Sequence, residues 1–146
     1  NLNDPFGLIE KDNFSIKLNQ LKKKPNIENQ IVKKENIIEI PDYQLIKIIN
    51  GSKVFHQGKI HVAIDENLNN DDKLTLCKYL KNKHSNFKNV IICLFSNNKN
   101  GLALANEDRT TVLNQEEQKF WIGMYTYNDV EGAYFDPNPS QYFRNF

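Results

Sequence analysis

Hydrophobic residues in this chain fall into blocks whose period changes along the sequence. From Gly58 to Ile64 they alternate: Ile60, Val62 and Ile64 face one way, and Lys59, His61 and Ala63 the other. That is the period of a half-buried strand. Val90-Ile-Ile-Cys-Leu-Phe95 is apolar at every position, which predicts a strand covered on both sides, at or near the middle of a sheet. Between them, Asp71 to Lys83 carries Leu74, Leu76, Cys77 and Leu80 within one arc, with Lys73, Lys78 and Lys81 outside it or at its edge. This is the pattern of an amphipathic helix. Asn69 or Asn70 is placed to cap it, Asp71 and Asp72 put negative charge in its first turn, and Lys81, Lys83 and His84 put positive charge at its end, as the helix dipole favours.

On either side the pattern predicts further strands. Tyr43-Gln-Leu-Ile-Lys-Ile-Ile49 is rich in isoleucine and runs into Asn50-Gly51, a dipeptide suited to a tight turn. A hairpin follows, with its second strand starting near Val54-Phe55 and a possible bulge at Gly58. Asn97 to Gly101 reads as a loop, Leu102 to Ala105 as a short strand, and Glu107 to Gln118 as mostly loop with a helical turn at Asn114–Glu117. Phe120 to Tyr127 is a strand by its aromatic and β-branched content, and Gly132 to Phe135 a further short one. The predicted fold is α+β: a mainly antiparallel sheet of about four to five strands, one principal helix packed on one face, and an N-terminal arm. Residues 1–40 read as that arm or tether, because Lys22-Lys-Lys-Pro25 interrupts a short periodic run and Ile27 to Ile40 has no clean period. Residues 41–146 read as a single domain.

A length of 146 residues suits one domain with its own core. With 39% hydrophobic and 25% charged residues the chain is globular, on the polar side. A net charge of +1 gives no overall electrostatic reason to expect nucleic acid as a partner. Only Arg109 and Arg144 carry the guanidinium fork that phosphate and base recognition favour. No stretch is apolar for long enough to span a bilayer as a helix. The sequence opens on Asn1 and its single methionine is Met124. A removed upstream segment is therefore expected, and export to the periplasm or cell surface is slightly favoured over the cytoplasm.

Candidate chemistry is sparse. Cys77 and Cys93 read as small buried hydrophobes rather than a disulfide, and with three scattered histidines they form no zinc spacing. His56 and His61 lie an odd number of residues apart, so a regular strand points them to opposite faces. Glu107-Asp108-Arg109 and Asp129–Glu131 lack calcium-loop spacing, and no glycine-rich phosphate loop exists. No catalytic residue, metal site or cofactor is therefore expected. The compositional anomaly is aromatic: Phe120, Trp121, Tyr125, Tyr127, Tyr134, Phe135, Tyr142, Phe143 and Phe146 crowd the end of the chain. Strand alternation puts Trp121, Tyr125 and Tyr127 on one face, with Phe120, Ile122 and Met124 on the other. Trp121, Tyr125, Tyr127 and Tyr134 are the candidate binding residues, since Trp and Tyr supply large contact area at low entropic cost.

The Tyr43–Ile49 and Gly58–Ile64 pair, the Asn70-Asp-Asp-Lys-Leu74 helix start, Val90–Phe95, and Phe120–Tyr127 followed by Gly132-Ala-Tyr-Phe135 together resemble small uncharacterised bacterial domains of β-β-α-β-β type. Such domains are often met behind an export signal. The resemblance spans the C-terminal two-thirds and implies a fold without an activity. Three functions compete: a non-enzymatic binding or accessory domain, with another protein as a candidate partner; an immunity protein that occludes a toxin; and a small hydrolase. The last requires a pocket that gathers at least two of His56, His61, Asp108 and Glu131.

Overall fold

In the computed structural model, residues 37–107 and 113–139 are described. The predicted 1–40 arm lies outside them, except that Ile37 and Ile38 are exposed and Ile40 packs on the core. Five strands form one sheet: β1 (Tyr43–Asn50), β2 (Gln57–Ile64), β3 (Asn89–Ser96), β4 (Trp121–Asn128) and β5 (Gly132–Asp136). Their spatial order follows the sequence, β1-β2-β3-β4-β5. The sheet is mixed, which corrects the antiparallel expectation at its centre. β2 and β3 pair in parallel, from Gln57 opposite Asn89 to Ile64 opposite Ser96, while the other three pairings are antiparallel.

The parallel pairing follows from what joins the two strands. Helix α1 (Asn70–Lys83) supplies a crossover long enough to return the chain to the same end of the sheet. It begins as its sequence requires: the Asn69 side chain accepts a hydrogen bond from the Asp72 N–H at 2.8 Å, capping the first turn. Its buried positions are Lys73, Leu76, Cys77 and Leu80. The last three lie against Ile60, Val62 and Ile64 of β2, Val90, Ile92 and Leu94 of β3, and Tyr125 of β4.

The opposite face is covered by a second helix. α2 (Lys99–Asn106) stands where a loop and a short strand are expected from sequence, and it buries Leu104 and Ala105 against Cys93 and Phe95, with Leu113 alongside. Asn98 caps it through the Gly101 N–H at 2.8 Å. Gly101 is where α2 presses on the end of β3, and a Cβ there would collide with the Ser96 carbonyl. A single turn, α3 (Gln115–Gln118), follows, and the reciprocal Asn114–Glu117 capping box holds it.

Two register irregularities decide where side chains point. One lies in β1 between Leu45 and Lys47, not at Gly58, which pairs regularly with Asn50. The β1–β2 connection is also longer than a two-residue turn, and His56 adopts a positive φ of 46° within it. The other irregularity lies between Leu94 and Phe95 of β3, opposite Gly123 and Trp121 of β4. Ile122 is the extra residue, so alternation along β4 breaks there.

Candidate functional site

The break in alternation at Ile122 separates the four aromatic residues singled out from sequence. Tyr125 and Tyr127 lie on the α1 face; Tyr125 is only 2% exposed within the core, and Tyr127 is half-buried beneath the Lys81 ammonium, which sits 4.0 Å from its ring centre. Trp121 instead packs with the cluster on the α2 face. Tyr134 pairs with Thr126 and is exposed. The expected single row of Trp121, Tyr125 and Tyr127 is thus divided between the two faces, and one of these residues is sequestered.

Trp121 opens onto a cleft of about 630 Å³ at the end of the sheet where the parallel strands β2 and β3 finish. That end is also where α1 starts, β4 enters and β5 leaves. Crevices outside the carboxyl ends of parallel strands are the usual ligand positions in open α/β sheets. The volume falls within the range of roughly 300–1,000 Å³ typical of small-molecule sites. Three structural pieces converge on it: Lys73 from α1, Gln118 and its neighbours from the α3 turn, and Trp121 with Ile122 from the irregular start of β4. Pro137 and Asn138 close the remaining side, held by an Asp136 carboxylate that accepts the Asn138 N–H at 2.8 Å.

Each of these side chains has a local reason for its place. Gln118 is buried, and its amide donates to the Leu113 carbonyl at 2.9 Å, tying the α3 turn to the segment before it. At the rim, Lys119 and Glu116 form an exposed ion pair at 2.8 Å. Such a pair contributes little to stability. Lys73 is the unusual member. The residue is 7% exposed, its Nζ donates to the Ile122 carbonyl at 3.1 Å, and burial pushes its pKa below the ordinary lysine value. Among the described residues no carboxylate lies within ion-pair distance of it. The Ile122 carbonyl that accepts this hydrogen bond belongs to the residue at which β4 breaks register.

Lys73 and Gln118 were not candidates from sequence. A signal for Lys73 does exist: it stands three, four and seven residues before Leu76, Cys77 and Leu80, so it occupies the first position of the buried stripe rather than its edge. Gln118 carries no such signal.

Of the residues on which a hydrolase would rely, the described ones, His56, His61 and Glu131, do not line the cleft. His56 is exposed in the β1–β2 connection, and Glu131 in the turn before β5. His61 is buried under α2, where its Nδ1 donates to the Ala105 carbonyl at 2.7 Å and its ring packs on Phe95. Asp108 lies outside the described residues. Cys77 and Cys93 are free and buried in different clusters. Burial, then the charge of Cys93, pushes the Cys77 thiol up to about 12. Burial raises Cys93 to about 11, against the weaker pull of the Lys59 charge and a hydrogen bond from Trp121. Both are therefore thiols, not nucleophilic thiolates, at neutral pH. Among the described residues no group of three or more His, Cys, Asp or Glu side chains is placed to hold a metal ion, and no helix is long and apolar enough to cross a membrane.

No family model matches the chain, and comparisons with curated proteins and solved structures gave no match either.

Proposed function

We propose that this is a non-enzymatic binding domain that holds its ligand in the cleft between Lys73 and Trp121. The observation that carries this reading is the cleft itself: Trp121, the buried Lys73 and the amide-bearing Gln115, Gln118 and Asn138 line one space of small-molecule size. Of the acids and histidines singled out for hydrolysis, the described His56, His61 and Glu131 do not line it. Binding sites of this kind need shape and a few placed polar groups, and no titrating pair. The proposal includes export to the periplasm or cell surface, which fractionation of cells expressing the full gene product would check.

Trp121 lines the cleft and is the only tryptophan in the sequence, so its single set of indole signals reports on binding there. A fragment screen by heteronuclear NMR on the full chain tests the reading. Binders are expected to move the Trp121 indole signal together with backbone amides of Lys73, Gln118 and Asn138. Fragments that bind only on the β1 edge or the exposed Val54–Phe55 connection would contradict it.

A further inference from the structure

Lys73 has one hydrogen bond and no carboxylate partner among the described residues to offset its burial. Taking an ammonium out of water costs more than one hydrogen bond to a carbonyl returns. Its place in the first turn of α1 puts its positive charge at the positive end of the helix dipole. The nearest acids of its own element, Asp71 and Asp72, make no ion pair with it, and Asp72 is engaged with the Asn69 amide at 2.8 Å. Two further N–H bonds of the ammonium are left for a partner in the cleft that Lys73 lines. The second cation there, Lys119, is already satisfied by Glu116. The cleft therefore offers one uncompensated positive charge, which matches a monoanion better than a phosphate dianion. Beside it stands the Trp121 ring, a flat surface for an apolar or aromatic body.

We propose that the cleft takes a small organic carboxylate, with its acid group against Lys73 Nζ and its flat apolar body along the Trp121 ring. This rests on the reading of the cleft as a binding site and names the chemistry of what it holds. The ligand supplies the counter-charge that the fold withholds. A charge-assisted pair to this part-buried ammonium then sets the preference for acids over neutral molecules of the same shape.

Three probes of one size separate the two levels of the proposal: 3-phenylpropionate, 3-phenylpropanamide and 3-phenylpropylamine. Each is titrated into the full chain and followed at the Trp121 indole N–H. The acid is expected to bind at least about tenfold more tightly than the amide, and the amine more weakly still. Lys73→Met should abolish the difference between acid and amide, and Lys73→Arg should retain it. Should Lys73→Met fail to fold, Lys73→Gln serves the same comparison. An amide that binds as tightly as the acid, or a Lys73→Met chain that keeps the preference, overturns the carboxylate assignment and leaves the binding cleft standing. A Trp121 signal that none of the three moves overturns both.

Discussion

At the scale of single residues, burial without compensation is the recurring theme, and it makes titration a sensitive probe. The His84 imidazole closes the end of α1, where its backbone N–H donates to the Leu80 carbonyl at 2.9 Å, and its Nε2 is buried without a partner among the described residues. Burial, and secondarily the Lys83 charge, hold its pKa below the ordinary 6.5. A group with a lowered folded-state pKa contributes stability that is fully present above the unfolded value and lost as pH falls through the folded one. The His84 contribution is therefore intact above pH 6.5 and declines below it. Urea midpoints measured across that range should fall less steeply for His84→Gln than for the parent chain. The two thiols behave in the opposite sense. With pKa values raised to about 12 for Cys77 and about 11 for Cys93, neither should react with a thiol reagent in the native state at about pH 8, and both should react once the chain is unfolded in denaturant. Rapid native labelling of either would mean that its cluster is open to water.

At the scale of elements, what the sequence revealed and what it concealed have separate causes. Strands with clean alternation or continuous apolar runs are legible because each is buried on one face or both, and α1 is legible because its cap, its stripe and its end charges agree. Substituting the cap, Asn69→Ala, should lower stability by about 1 kcal/mol in chemical denaturation. α2 is concealed because Lys99-Asn-Gly-Leu-Ala-Leu-Ala-Asn106 contains two asparagines and a glycine, and alternating Leu and Ala mimic a strand. Its helicity follows from the burial of Leu104 and Ala105 on the second face and from the Asn98 cap, a tertiary cause. Gly101 permits the close approach to Ser96, so Gly101→Ala should cost about 1–3 kcal/mol, whereas Ala in an ordinary helix interior would stabilise. A stabilised Gly101→Ala chain would contradict the close approach. The parallel pairing of β2 with β3 is implicit in a strand-helix-strand order, but hydropathy does not say which strands are neighbours. The irregularity at Ile122 left no trace in the pattern either, which is why Trp121 was assigned the face of Tyr125.

At the scale of the whole molecule, a five-stranded sheet carries a buried cluster on each face, with α1 over one and α2 over the other, while its edge strands β1 and β5 stay partly exposed. Apart from His61 under α2, buried polar side chains such as Lys73 and Gln118 lie toward one end, where the parallel strands finish and the cleft lies. Of the candidate site, only Trp121 was legible, because aromatic content shows in sequence whereas convergence on α1, α3 and the β5 exit does not. A cation kept there without a counter-charge opposes folding. Lys73→Met keeps the packing of the stem and removes the charge, so it should raise the unfolding free energy by on the order of 1 kcal/mol, read as a higher denaturation midpoint. A loss of stability would mean that the ammonium is a structural partner and not a reserved binding group.

The most direct measurement is the titration of Lys73 itself, by NMR of its side-chain carbon and nitrogen in the full chain without added ligand, assigned by comparison with Lys73→Arg. The expected midpoint lies below the ordinary lysine value of 10.5. A midpoint at or above 10.5 would show that a carboxylate within the protein already compensates the charge, and would contradict it.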